Sequence, residues 1–128
     1  MSLRDSLRIL VVDDMSTSRG LITQALEAAG IRNILVADSA RQAMGIMAAN
    51  PVHLVISDYN MPEIDGLQFL EAVRRNPSTQ RTGFIIVSGR IEPAMIQKGQ
   101  ALGLNNLIAK PFSNQDMLSC VEKVVGRV

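Results

Sequence analysis

Cysteine occurs once, as Cys120, and histidine once, as His53. A lone cysteine excludes an intrachain disulfide, and one histidine beside it is too little for a Cys/His metal cluster, so a reducing, cytoplasmic setting is expected. Cys120 is read as a small buried hydrophobe, with a surface thiol as the alternative. His53 is read as a structural or solvated residue. Long apolar runs are missing too: none approaches the roughly 18 residues needed to span a bilayer, and no membrane insertion is expected. The opening MSLRDSLRILVVDD has an apolar stretch too short for a signal-peptide core, and acids follow it where a small-residue cleavage site would stand. Nor does one sign of charge dominate. Lys plus Arg is 13 against 12 for Asp plus Glu, a net charge of +1 that offers no general attraction to nucleic acid or an anionic membrane. The phosphate-cradling patterns G-x-x-x-x-G-K-[ST] and G-x-G-x-x-G are absent as well, which sets aside a nucleotide-binding module.

What is present is a chain of ordinary globular composition, 47% hydrophobic and 20% charged over 128 residues. That length fits one domain, expected over residues 1–128. Five short apolar runs stand out: Ile9-Leu10-Val11-Val12, Ile34-Leu35-Val36, Leu54-Val55-Ile56, Phe84-Ile85-Ile86-Val87 and Leu107-Ile108-Ala109. None alternates with polar residues, as expected of parallel strands covered by helices on both faces. Between them the spacing turns helical. Leu21, Ile22, Ala25, Leu26 and Ala29 form one stripe, closed by Gly30, and Met117, Leu118, Val121, Val124 and Val125 form another. Further helices are predicted to begin near Ser39, with Asp38 or Ser39 as cap, near Gly66, and near Pro93. The helix after Pro93 has a weak stripe and carries Gly99, which costs ~1 kcal/mol relative to alanine, so it is expected to be the loosest. Met44, Met47, Met95 and Met117 are read as core filler, and Arg74-Arg75 as a solvated helix end that complements the helix dipole. The alternation predicts a doubly wound α/β domain.

In such a sheet every strand points the same way, so residues just beyond the apolar runs gather along one edge, where ligands bind. Asp13-Asp14 follow the first run, Asp58 the third, Ser88-Gly89 the fourth and Lys110-Pro111 the fifth. Singly, each has a plain reading: Asp13 or Asp14 as a helix cap, Asp58 as a turn residue before Pro62, Ser88 as a loop hydroxyl, Lys110 as a solvated charge. Jointly they place three acids, a hydroxyl and an amine at one edge. Clustered carboxylates raise one another's pKa unless a cation offsets them. Magnesium prefers oxygen ligands and is often held by one or two carboxylates with phosphate oxygens, so Mg2+ is favoured over zinc, with Asp13, Asp14 and Asp58 as candidate ligands. A carboxylate is also a competent covalent nucleophile toward phosphorus, and Asp58 is the candidate.

These residues resemble the receiver domain of two-component response regulators, especially its single-domain chemotaxis members. The resemblance spans nearly the whole chain and rests on Asp13-Asp14, on Asp58 with Asn60-Met61-Pro62 and Asp65-Gly66 behind it, on Ser88-Gly89, and on Lys110-Pro111-Phe112. It implies a flavodoxin-like α/β fold, a doubly wound five-stranded parallel sheet in order 2-1-3-4-5 with five helices. It implies that Asp58 accepts phosphoryl from a histidine kinase, that Asp13, Asp14, Asp58 and the Asn60 backbone carbonyl hold Mg2+, that Lys110 contacts the phosphoryl group, and that Ser88 turns toward it. Asn60 and Arg90 take positions that tune dephosphorylation, and the Lys110-Pro111 bond is expected cis. Implied partners are the phosphotransfer domain of a chemotaxis histidine kinase, a flagellar motor switch protein and a phosphatase, met by a monomer that turns over no external substrate.

One position departs from the pattern. Three residues before Lys110, where an aromatic switch residue is usual, the chain has Leu107, which has no ring hydroxyl to bury or expose. This puts the usual motor coupling in question and keeps a phosphate sink for the kinase in play. Because Val128 follows directly on the fifth helix, a free-standing regulator is expected, with a fragment of a longer one as the alternative. An aspartate-based phosphohydrolase would place its nucleophile in a D-x-D pattern after the first strand and would need a substrate cap; adjacent acids and a short chain disfavour it.

Overall fold

The computed structural model describes residues 6–126. Five strands, β1 (Arg8–Val12), β2 (Asn33–Ala37), β3 (Leu54–Asp58), β4 (Gly83–Ser88) and β5 (Asn106–Ala109), alternate with five helices, α1 (Ser16–Ala28), α2 (Ala40–Ala49), α3 (Gly66–Arg75), α4 (Pro93–Ala101) and α5 (Asn114–Val125). All strand pairs are parallel and the sheet order is β2-β1-β3-β4-β5. This is the expected doubly wound α/β fold. Among the described residues no helix is long and apolar enough to cross a membrane.

The unbroken apolar runs have a direct physical consequence, since β3 is buried at every residue and β1 and β4 at all but the first. Alternate side chains of one strand enter two separate cores. Ile9 and Val11 join Ile22 and Leu26 of α1 and Met117 and Val121 of α5. Leu10 and Val12 join Met47 of α2, Phe69 and Val73 of α3, and Met95 of α4. Phe69 and Phe84 meet edge to face with ring centroids 5.3 Å apart, a geometry favoured by the ring quadrupoles. The methionines serve as filler, with Met117 fully buried and Met44 only partly so.

Helix boundaries follow local chemistry. Ser39 caps α2 by accepting the Gln42 N–H, and Asp65–Gln68 and Ser113–Asp116 form reciprocal capping boxes at α3 and α5. Neither Asp13 nor Asp14 caps α1, whose N-cap is Met15 without a side-chain bond.

Three expectations need correction. Leu21 is 57% exposed: it lies one residue, about 100° of helical turn, off the buried line of Ile22, Ala25 and Leu26. Asp58 and Ser88 are the last residues of β3 and β4, so the strands themselves carry them. Arg74 is not a solvated helix end. Its guanidinium donates to the carbonyls of Gln80, Thr82 (2.7 Å) and Gly103 and to Asn105 Oδ1, which in turn accepts the Phe84 N–H. The weak stripe expected of α4 is present, with only Met95 and Gly99 buried, and a Cβ at Gly99 would stand 2.7 Å from Leu104 Cδ2. His53 has the expected structural role, its Nδ1 accepting the Arg8 N–H at 3.0 Å.

Candidate functional site

The chain winds from β1 outward to β2, then returns past β1 to β3, so the switch point lies between the ends of β1 and β3. Asp13 extends the β1 ladder by one bond, donating its N–H to the Ala37 carbonyl at 3.1 Å. Its Oδ1 accepts the Met15 N–H at 3.0 Å and its carbonyl accepts Arg19 Nη1 at 2.9 Å. Asp13 is fully buried, yet its Oδ2 has no hydrogen-bond partner among the described residues. A buried, unpaired carboxylate oxygen is costly unless something completes it.

Asp58 is 6% exposed. One carboxylate oxygen each from Asp13, Asp14 and Asp58 lies within 4.8 Å of the others. Lys110 reaches in from the residue after β5, with Nζ 2.8 Å from Asp58 Oδ1, and its N–H donates to the Ser88 carbonyl at 2.9 Å. The Lys110–Pro111 peptide is cis, as expected. Burial pushes the Asp58 carboxyl above its ordinary pKa; the Lys110 hydrogen bond opposes this, and the charges of Asp13 and Asp14 add to it. An all-oxygen donor set with an orphaned buried oxygen fits a hard divalent cation such as magnesium.

The loop behind Asp58 is shaped by sterics. Gly66 donates its N–H to the Tyr59 carbonyl at 2.8 Å, and a Cβ at Gly66 would stand 2.9 Å from the Asp58 carbonyl oxygen, so a side chain is excluded there. Ile64 N–H donates to the Pro62 carbonyl at 2.7 Å across Glu63, whose φ is +68°, a tight γ-turn. Asn60 is exposed in this loop.

Ser88 is buried and its Oγ is engaged with Arg90, donating to the Arg90 carbonyl at 2.7 Å and accepting the Arg90 N–H at 3.2 Å. Beside it a cleft of about 290 Å³ lies between Tyr59, Asn60, Met95 and Lys98. Leu107 is half-buried and packs with Tyr59 against the core shared by α2, α3 and α4. The structure thus brings Asp13, Asp14, Asp58 and Lys110 into one group and sets Ser88 at its margin. Two residues that the sequence reading passed over also belong here: Arg19, through Asp13, and Tyr59, the only tyrosine in the chain.

Five parallel strands in this order, with acids at the switch point and a lysine paired to one of them, define a doubly wound regulatory domain. The chain belongs to the response regulator receiver domain family, whose model matches residues 9–122. It is 44% identical over 126 residues, 98% of each chain, to a Rhizobium etli protein named "Probable chemotaxis protein CheY". It is 30% identical to the chemotaxis protein CheY of Pseudomonas aeruginosa, over 95% of this chain and 98% of that one. A solved structure of Vibrio cholerae CheY4 superposes with a TM-score of 0.86 at 28% identity, covering 92% of this chain and 98% of the other. Family membership makes the chain a phosphorylation-activated response regulator, a signalling protein whose partner class is the histidine kinase.

Proposed function

We propose that residues 1–128 form a single receiver domain of a chemotaxis two-component system, working as a cytoplasmic monomer that accepts phosphoryl on Asp58 and then changes its binding partner. The pairing of Lys110 Nζ with Asp58 Oδ1 at 2.8 Å, beside two further carboxylates, is the observation that carries this reading. The likeness to proteins named CheY supports chemotaxis, and with it a CheA-like kinase, a flagellar motor switch protein and a phosphatase as partners.

Asp13, Asp14, Asp58 and the Asn60 carbonyl would hold Mg2+. When bound, the ion supplies positive charge against the carboxylates and the incoming phosphoryl oxygens. A carboxylate oxygen of Asp58 attacks phosphorus; an O–P bond forms, the P–N bond of the donor phosphohistidine breaks, and the imidazole keeps the electron pair. β3 holds the nucleophile rigidly while Lys110 moves from the carboxylate to a phosphoryl oxygen, stabilising the charge there. Ser88 then exchanges its Arg90 carbonyl for the phosphoryl group, drawing the β4–α4 loop with it. No external substrate is turned over.

A second reading, a phosphate sink that drains the kinase, is favoured by Leu107, which cannot make the hydroxyl switch of an aromatic residue. Intact-mass measurement with acetyl phosphate and magnesium tests the main reading. One labile phosphoryl group is expected on the wild type and none on Asp58→Asn. Pull-down with and without a stable phosphoryl mimic separates regulator from sink, since a sink shows no change of partner.

A further inference from the structure

Arg19 is the fourth residue of α1, in a first turn that holds no acidic residue and whose N-cap makes no side-chain bond. A cation there opposes the helix dipole, which favours negative charge at this end. The helix dipole therefore gives no reason for a cation at this position. Its side chain turns back over the β1–α1 loop and donates from Nη1 to the Asp13 carbonyl at 2.9 Å, and among the described residues no carboxylate lies within ion-pair distance of it.

The effect on Asp13 is specific. The Asp13 N–H is held by the Ala37 carbonyl, its carbonyl by Arg19 and its Oδ1 by the Met15 N–H, so the residue is fastened at three points. Only Oδ2, buried and unpartnered, is left over. We propose that Arg19 is a positioning residue for the cation and phosphoryl site: by fixing the Asp13 main chain it keeps the Asp13 and Asp14 carboxylates in ligand geometry before any ligand arrives.

This rests on reading the three acids as a cation site. Charge and geometry make opposite demands here, which renders the idea testable. If Arg19 acted only through its charge, neutralising it would remove a repulsive cation and tighten magnesium binding. If it positions Asp13, neutralising it loosens the ligand set and weakens binding.

The full-length chain is titrated with magnesium alone, by calorimetry and by Tyr59 fluorescence, as wild type, Arg19→Ala, Arg19→Gln and Arg19→Lys. Melting temperatures in chelator and the Asp13 and Met15 amide shifts are recorded alongside. Loss of a group that orients a metal ligand weakens affinity by roughly 10–100-fold. The expected result is a weakening of about tenfold in the two neutral variants, partial recovery in Arg19→Lys, shifted Asp13 and Met15 amides, and little change in metal-free melting. If Arg19→Ala does not fold, Arg19→Gln carries the same comparison. A folded neutral variant that binds magnesium as tightly as wild type, or more tightly, overturns the inference. A wild type that binds no magnesium overturns the cation site itself.

Discussion

Lys110 Nζ stands 2.8 Å from Asp58 Oδ1, one residue directly after β5 and the other the last of β3, two strands that are not neighbours and have β4 between them. The pair therefore exists only because the sheet sets its strands in this order. Its lysine supplies the hydrogen bond and charge that hold the Asp58 pKa down against burial. In Lys110→Met those two influences vanish while burial, Asp13 and Asp14 remain, so Asp58 should titrate at higher pH than in wild type. Carboxyl-carbon NMR in chelator reads this directly, and an unchanged or lower titration would remove Lys110 from the role. Labelling by acetyl phosphate should slow by about 100-fold in the same variant, the order of effect seen when one charge-stabilising donor is removed.

The raised Asp58 pKa also sets a stability trend. A carboxyl whose folded pKa exceeds its ordinary value of 3.8 favours folding while protonated and loses that contribution as pH rises through the folded value. In chelator, Asp58→Asn should therefore gain stability relative to wild type as pH climbs from the ordinary value of 3.8 to the folded pKa, and hold that gain above it. Paired urea denaturation across the acid-to-neutral range measures the gap. A gap that narrows with rising pH contradicts the account.

Magnesium should stabilise the wild type by mass action. At ten times its dissociation constant the gain is about 1.4 kcal/mol. For a chain of this size that is a rise of about 5 °C in melting temperature. Asp13→Asn should lose most of the rise. An equal rise in that variant would place the ion elsewhere.

Phosphorylation should be felt along the route from Ser88 to the turn after α4. With magnesium and a stable phosphoryl mimic, amide exchange should change across residues 88–104 as Ser88 leaves the Arg90 carbonyl, while Leu107 changes little. Changes confined to a distant face would refute this output route.

The fold was legible because its signal is coarse: uninterrupted apolar runs at β1, β3 and β4 require cover on both faces, and no fine geometry is needed to see that. The acidic group was legible for a related reason, since parallel strands deliver their next residues to one edge. What stayed hidden depends on direction in space. Arg74 and Arg75 are indistinguishable as letters, but one helical step turns Arg74 beneath the loop between α4 and β5, where it meets Gly103 and Asn105, and leaves Arg75 exposed beside Glu71. Gly99 reads as a weakness until Leu104 is seen packed against it. Leu21 counts as apolar whichever way it points. Arg19 did leave a trace, a cation in a first turn that should repel it, and such a broken local rule is a reason to look for a site.

The central claim is that Asp58 carries the phosphoryl group, and chemical trapping tests it most directly. After reaction with acetyl phosphate and magnesium, borohydride reduces an aspartyl phosphate to homoserine, which peptide mass spectrometry locates by residue. Homoserine at position 58, absent when magnesium is chelated, is the predicted result. Homoserine at position 13 or 14, or labelling that persists undiminished in Asp58→Asn, would contradict it.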